Sequence, residues 1–250
     1  MHVLTPTETS YTLLGLGLTS TGVALSSTSY FILRSTPLTA LGISTIILGM
    51  VSLALGRSQP KIPPEASTIL LESGLENISA IIEELGLTSK AIYLPSSMTS
   101  GQPQALIPIH QNPYPPKPKT TLPKRLIVKY APNPEDIGLL ITTPGSTVTN
   151  MLGSKPGPAM GDLEAALSSV LTGTIDLADA IKVTMGDGRI IVEVSNPRLE
   201  YRSMRVYECL GSPIASMVAS IATEALDKAV VIDREEHKRG KLMIELKVLE

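Results

Sequence analysis

The pattern of apolar and polar positions changes character along this chain. From Tyr11 to Leu33 (YTLLGLGLTSTGVALSSTSYFIL) and again from Leu38 to Gly56 (LTALGISTIILGMVSLALG), apolar residues are mixed only with Gly, Ser, Thr and Tyr, and no charge interrupts either run. At a rise of about 1.5 Å per residue, each run is long enough to cross a hydrocarbon layer of about 30 Å. The polar residues are scattered around the helix instead of forming the stripe of a buried amphipathic element. A secretory signal would need a basic segment before an apolar stretch of about 7 to 15 residues, and no Lys or Arg precedes Arg34. The pattern predicts a transmembrane α-hairpin over residues 1–58, turned at Arg34-Ser-Thr-Pro37.

Beyond it the periodicities shorten. Gln59-Pro-Lys-Ile-Pro-Pro64 reads as a stiff linker, residues 59–64, because paired prolines cannot continue a helix. Apolar residues at helical spacing over 65–87 predict a helix pair or one bent helix, with Gly74 at the bend and Gly86 as the C-cap. AIYLP (91–95) and ALIPI (105–109) predict a loose hairpin, whose prolines point to edge positions. Residues 111–124 form a Pro-rich connector. RLIVKYA (125–131) and GLLITT (138–143) are further strands, and Asp162 is expected to cap a helix over DLEAALSSVL. Asp187-Gly188 joins IKVTM and RIIVEV as a hairpin. Ser212-Pro213 opens a helix reaching Leu226, followed by strands at AVVID and KLMIELKVL around the charged tip 234–240. The expected fold is α+β: residues 65–250 as a soluble domain with a mainly antiparallel sheet and flanking helices.

Composition adds little to this and excludes more. With 43% hydrophobic residues and 18% charged, the aliphatic excess lies in the two N-terminal runs. The remainder is slightly acidic and poor in aromatics, so it lacks the basic footprint of a nucleic-acid binder. One cysteine excludes an intrachain disulfide. Arg34 in the turn, against Arg57 and Lys61 after the second run, favours a cytoplasmic soluble domain on a two-pass protein of the cell membrane. Membrane lipid is then the first partner. Gly15 with Thr19, and Gly17 with Thr21, sit at the small-xxx-small spacing that lets helices approach closely, which suggests self-association or a partner membrane protein. No ionisable residue lies inside either run, so the spans offer no carrier for an ion pathway.

Candidate chemistry is sparse. Cys209 precedes the helix start at Gly211-Ser212, where the dipole lowers a thiol pKa. Nothing places His2, His110 or His237 beside it, and the expectation is a small buried residue packed on the alanine-rich helix. No catalytic residue is assigned. Gly211-Ser212, and the turn Thr143-Pro-Gly145-Ser146, each present backbone N–H groups of the kind that hold anions. Neither matches a P-loop or a GxGxxG opening. Gly145, Ser146, Cys209, Gly211 and Ser212 are therefore the candidate ligand-binding residues. Without CxxC, HExxH or a His pair at helical spacing, no metal or other cofactor is expected.

The succession AIYLPSS, ALIPI, LPKRLIVKY, GLLITTPGS, DLEAALSSVL and ECLGSPIASMVASIATEAL, after a two-pass anchor, resembles a group of uncharacterised archaeal membrane proteins. The stretch Ile214 to Leu249, a small-residue helix leading into a closing hairpin with a glycine at its tip, resembles the small-molecule-binding domain named after 4-vinyl reductase. That family carries cysteines around the closing hairpin where this chain has Glu236 and Ile244, so no site residue is carried over. The leading expectation is a membrane-anchored, non-enzymatic binding or scaffold module. The alternatives are an enzyme or small-ligand sensor with a site between the Thr143–Gly145 turn and the Gly211-Ser212 helix start, and an accessory subunit of a larger membrane complex.

Overall fold

The computed structural model describes residues 6–58, 64–109, 121–186, 188–199, 204–238 and 240–249. The chain divides into two compact units, Met1–Glu72 and Ser73–Glu250. Most of the predicted linker, residues 59–63, and most of the Pro-rich connector, residues 111–120, lie outside the described residues.

The first unit is a helical hairpin. Helix α1 (Pro6–Thr28) ends in a widened turn, Ser29–Leu33, and α2 (Thr36–Ser58) returns along it. Arg34 adopts a left-handed conformation and its N–H donates to Ser29 O, which closes α1. Among the residues whose burial is described, the hairpin's buried positions are Gly15 and Gly22 on α1, Ser29 at the start of the widened turn, and Gly42, Gly49, Ser52 and Gly56 on α2. The buried glycines of each helix lie seven residues apart, which keeps one seam turned toward the partner helix. The backbones touch there. A Cβ on Gly42 would lie 2.7 Å from Ser26 N, and one on Gly49 2.7 Å from Thr19 N.

Large aliphatic side chains point outward: Leu13, Leu16, Val23, Leu41, Ile47 and Met50 are all exposed. The hydroxyls turn back onto their own helix, as in Thr19 Oγ1 to Gly15 O (2.7 Å), Thr45 Oγ1 to Leu41 O (2.9 Å) and Ser52 Oγ to Leu48 O (3.0 Å). By length and composition, two helical stretches among the described residues are apolar enough to cross a bilayer. Thr36–Arg57 is 11% buried, whereas Arg205–Leu226 is 83% buried and is a core element of the second unit. Helix α1 carries more Ser and Thr and is not among them.

The border between the units falls inside α3 (Pro64–Glu84), which runs without a break through Gly74. Of the two expected forms, a helix pair or one bent helix, the pair is not found, and a Cβ at Gly74 would meet nothing within 4 Å. Gly86, at φ +63°, ends the helix as anticipated, with Leu87 N donating to Ile82 O.

The second unit is an eight-stranded, wholly antiparallel sheet. Its strands are β1 (Ile92–Leu94), β2 (Gln104–Pro108), β3 (Ile127–Lys129), β4 (Ile137–Ile141), β5 (Ala180–Gly186), β6 (Arg189–Ser195), β7 (Val230–Lys238) and β8 (Lys241–Val248). They stand in the order β3-β4-β2-β1-β7-β8-β6-β5. The α+β class and antiparallel sheet follow the sequence, but β1 and β2 occupy the middle, not an edge. Their prolines are tolerated because Pro95 follows β1 and Pro108 is the last residue of β2.

Helices α4 (Pro144–Thr149), α5 (Met160–Leu167) and α7 (Pro213–Leu226) join α3 in the main core, together with Val206, Cys209 and Leu210 of α6 (Arg205–Leu210). Alternation in β5, β6 and β8 sends Ile181, Val183, Val192, Ile244 and Leu246 into that core. The opposite face there is solvated and carries the ion pairs Arg189–Glu245 and Lys241–Glu193. Under β1, β2 and β4 that face is closed by a smaller cluster containing Leu94, Leu106, Leu122, Val128 and Tyr130.

Two local details differ from the sequence reading. Asp162 is not the cap of α5: Ala159 holds that place, and Asp162 lies in the first helical turn, where its negative charge suits the dipole. The β7–β8 hairpin is longer than expected, so Glu235, Glu236 and His237 belong to paired strand instead of a loose tip.

Candidate functional site

The opening of α7 is filled by the protein itself. Ser212 caps the helix, its Oγ accepting from Ala215 N at 3.1 Å, and Pro213 takes the first position, which needs no N–H partner. Ser212's own N–H donates to Glu235 Oε2 at 3.0 Å. Glu235 reaches this place because β7 slips register between Ile232 and Arg234. Simple alternation would put residue 234 on the side of Ile232. The extra residue puts Glu235 there instead, opposite the buried Ile244. Gly211 fits between them at φ +72°, where a Cβ would lie 2.7 Å from Ile232 Cδ1. The positive end of α7 is thus matched to a carboxylate of the same chain.

Cys209 lies under this opening with 4% of its surface exposed, and its Sγ donates to Leu87 O at 3.7 Å. Burial pushes the thiol up from its ordinary value. The dipole argument fails here because Cys209 sits near the end of α6, before α7 begins. We expect less than a tenth of the thiol to react with an aromatic disulfide reagent in native protein at neutral pH, and all of it in denaturant. Fast native labelling would contradict the burial.

The second glycine–serine turn meets α7 elsewhere. Thr143 precedes α4, and its N–H donates to Ser146 Oγ at 3.0 Å. Gly145 lies flat on the middle of α7: a Cβ there would sit 2.5 Å from Ser216 O and closer still to Ser220 Oγ. This contact is one to two helical turns beyond Ser212, roughly 6 to 12 Å along α7. Gly145 and Ser146 are therefore gathered around Ser216 and Ser220, and Gly211 and Ser212 around Glu235. The cavities described below are lined by other residues.

Between the two contacts lies Tyr93, fully buried, its hydroxyl donating to Leu210 O at 2.5 Å. Burial pushes its pKa well above the phenol's ordinary value; the nearby Glu235 charge adds to this and Ser216 offsets part of it. A raised pKa means the folded state holds its proton more tightly than the unfolded chain. That contribution is complete below about pH 10, the unfolded value, and is lost as pH rises above it. We expect chemical stability to fall above pH ~10 in the wild type, and this alkaline slope to flatten in Tyr93→Phe, which loses about 1 kcal/mol at neutral pH with its hydrogen bond. An unchanged slope would remove Tyr93 as the cause.

Two concavities of the second unit contain functional groups. A polar cleft of about 180 Å³ is lined by Ser96, Thr149, Asn150, Lys155 and Glu224. Glu224, 7% exposed, accepts from Ser96 N at 2.5 Å and Ser96 Oγ at 3.0 Å, and lies 3.9 Å from Lys155 Nζ. Lys155 is closer to Asp227, at 2.9 Å, and holds that carboxyl below its usual range. Glu224 thus ties Ser96, just after β1, to α7, and the ion pairs of Lys155 tie the loop after α4 to the same helix end. The other concavity, about 240 Å³, is mainly apolar and lies at the β3–β4 end of the sheet, with Ile78, Ile81, Leu126 and Leu139 in its walls and Lys124 and Arg125 at its rim. Among the described residues, no group of three or more His, Cys, Asp or Glu side chains is placed to hold a metal ion.

Sequence reasoning missed both Glu235 and the Lys124–Arg125 rim. By sequence Glu235 falls in the charged tip, since a bulge has no signature in this strand's alternation. Lys124 ends the Pro-rich connector and Arg125 begins a predicted strand, a boundary that separates the pair.

A glycine-seamed helical hairpin joined to an antiparallel α+β unit defines the class of this protein. The chain belongs to the family described as Domain of unknown function (DUF7982), whose model matches residues 5–247 and so takes in both units. No curated protein and no solved structure matches the chain.

Proposed function

We propose that the protein is a membrane-anchored binding module: the hairpin spans the cell membrane twice, and the α+β unit works at the cytoplasmic surface. The observation that carries the proposal is the sorting of side chains in α1 and α2. Glycine and serine meet at the seam, where Leu53 packs on Gly15 and Ile46 on Gly22, while most of the other large aliphatic side chains, Leu13, Leu16, Val23, Leu41, Ile47 and Met50 among them, point away from it. In water this surface would be an apolar patch far larger than soluble monomers expose. In lipid it is the ordinary state, and hydroxyls bonded to their own backbone need no water. Tyr30 and Phe31, packed edge to face at 5.1 Å, stand beside Arg34 at the hairpin turn, a combination suited to the headgroup layer. The excess of Arg57 and Lys61 over Arg34 supports the cytoplasmic side.

A binding role is supported by the apolar groove of the second unit. The resemblance of the stretch Ile214 to Leu249, a small-residue helix and closing hairpin, to a small-molecule-binding domain is a second support for this reading. The test is fractionation. Full-length protein in broken cells should pellet at high speed, resist an alkaline carbonate wash, and enter the supernatant only with detergent. Protein that stays in the supernatant without detergent removes the proposal. Protease added to inverted vesicles should cut the second unit, and added to right-side-out vesicles should leave it whole.

A further inference from the structure

At the β3 edge of the sheet an apolar groove has cations and no carboxylate in its lining. β3 pairs with β4 only over residues 137–139, and the chain before it stays beside β4 through Leu140 N donating to Leu126 O at 2.7 Å. Between this chain, the end of β4 and the second half of α3 lies the concavity of about 240 Å³. Its walls are Ile78 and Ile81 from α3, Leu126, and Leu139 and Ile141 from β4. Leu126 is 54% exposed and Ile81 39%, so the apolar lining continues to the surface.

The rim is positively charged. Lys124 and Arg125 line the groove just before β3, and Lys129 is the last residue of that strand. Lys124 and Arg125 form no ion pair among the described residues, as is true of several other surface lysines such as Lys182 and Lys228; what sets these two apart is that they are adjacent and line an apolar groove without a carboxylate. An apolar trough ending in two unpaired cations complements a molecule with a hydrocarbon chain and an anionic head. Burial of the chain supplies affinity, and the guanidinium and ammonium fix the head.

We propose that this groove binds a single-chain anionic amphiphile, its chain along Ile78, Ile81, Leu126 and Ile141 and its head group on Lys124 and Arg125. The inference rests on the reading of the protein as a tethered binding module, since the bilayer supplies such molecules.

The chain has no tryptophan, so Leu126→Trp in full-length protein places one fluorophore at the groove. In nanodiscs of phosphatidylcholine, added dibromostearate should quench at least half of its emission, and the methyl ester should not. K124A/R125A in the same background should raise the midpoint at least tenfold. Equal quenching by acid and ester would overturn the proposal, because the cations would then have no part. Quenching by brominated phosphatidylcholine of the disc alone would overturn it in favour of a face lying on the bilayer, and no quenching at all would leave the groove empty. A photoactivatable fatty acid added to unsubstituted protein should crosslink within residues 75–82 or 124–142, and crosslinks confined elsewhere would also overturn it. Protein that remains carbonate-resistant but fails these tests loses the ligand and keeps the anchor.

Discussion

Gly145→Ala lowers the stability of the α+β unit by about 2 to 3 kcal/mol, near the upper end of the usual cost of overpacking, and Gly145→Val by more. The new Cβ would meet Ser216 O at 2.5 Å and crowd Ser220 Oγ. A serine hydroxyl can rotate away, but a helix carbonyl cannot, so α4 must lift from α7. Ser220→Ala therefore restores only part of the loss in the double variant. Denaturant midpoints measured by circular dichroism check this. A Gly145→Ala midpoint equal to wild type would mean that α4 does not lie on α7 as described. Because Gly145 faces neither concavity, the same substitution in protein that still folds should leave dibromostearate binding within about twofold.

Gly42→Leu or Gly49→Leu splays the hairpin. The seam brings backbone to backbone, with Cβ positions 2.7 Å from Ser26 N and Thr19 N. A leucine there forces the axes toward the separation of about 8 to 10 Å typical of ordinary helix pairs. Spin labels on Leu14→Cys and Leu55→Cys in nanodiscs should report a longer and broader distance in either variant, and Cys209, being buried, should stay unlabelled. Gly17→Leu is the control, since nothing lies within 4 Å of a Cβ at that position. If Gly17→Leu opens the hairpin and Gly49→Leu does not, the seam is on the wrong face.

These two sites show what the sequence could and could not convey. Both uncharged runs are helical, and the pairing of β5 with β6, the Gly86 cap and the Ser212-Pro213 start were legible because each is encoded within a few residues; Asp187 of the expected turn lies outside the described residues. The seam was half legible. Gly15 and Thr19 do face α2, but Gly17 and Thr21 look outward, and the repeat that matters has a spacing of seven instead of four. Strand order was not legible: β1 lies beside β7, more than a hundred residues away, and no local pattern records that pairing. The proline argument misled for a related reason, since a proline at a strand end costs nothing in a central strand.

Among the candidate residues, Cys209 as a buried filler was readable from its alanine-rich neighbourhood. The environment of Gly211 and Ser212 was not, because it depends on a one-residue slip in a strand two elements later. The contact of Gly145 with α7 had a trace in Ser212, Ser216 and Ser220, spaced one helical turn apart. Small hydroxyls at that spacing on an otherwise apolar helix mark a face where another backbone comes close.

The carboxylate of Glu235 at the start of α7 has one more consequence. A group tethered on the same chain competes with free solutes as if present at millimolar concentration or above. Sulfate, phosphate or a nucleotide in the surrounding solution must displace this internal rival before it can touch the helix end. Glu235→Ala would vacate the place, turning a self-satisfied junction into an adventitious anion trap whose occupancy rises with salt.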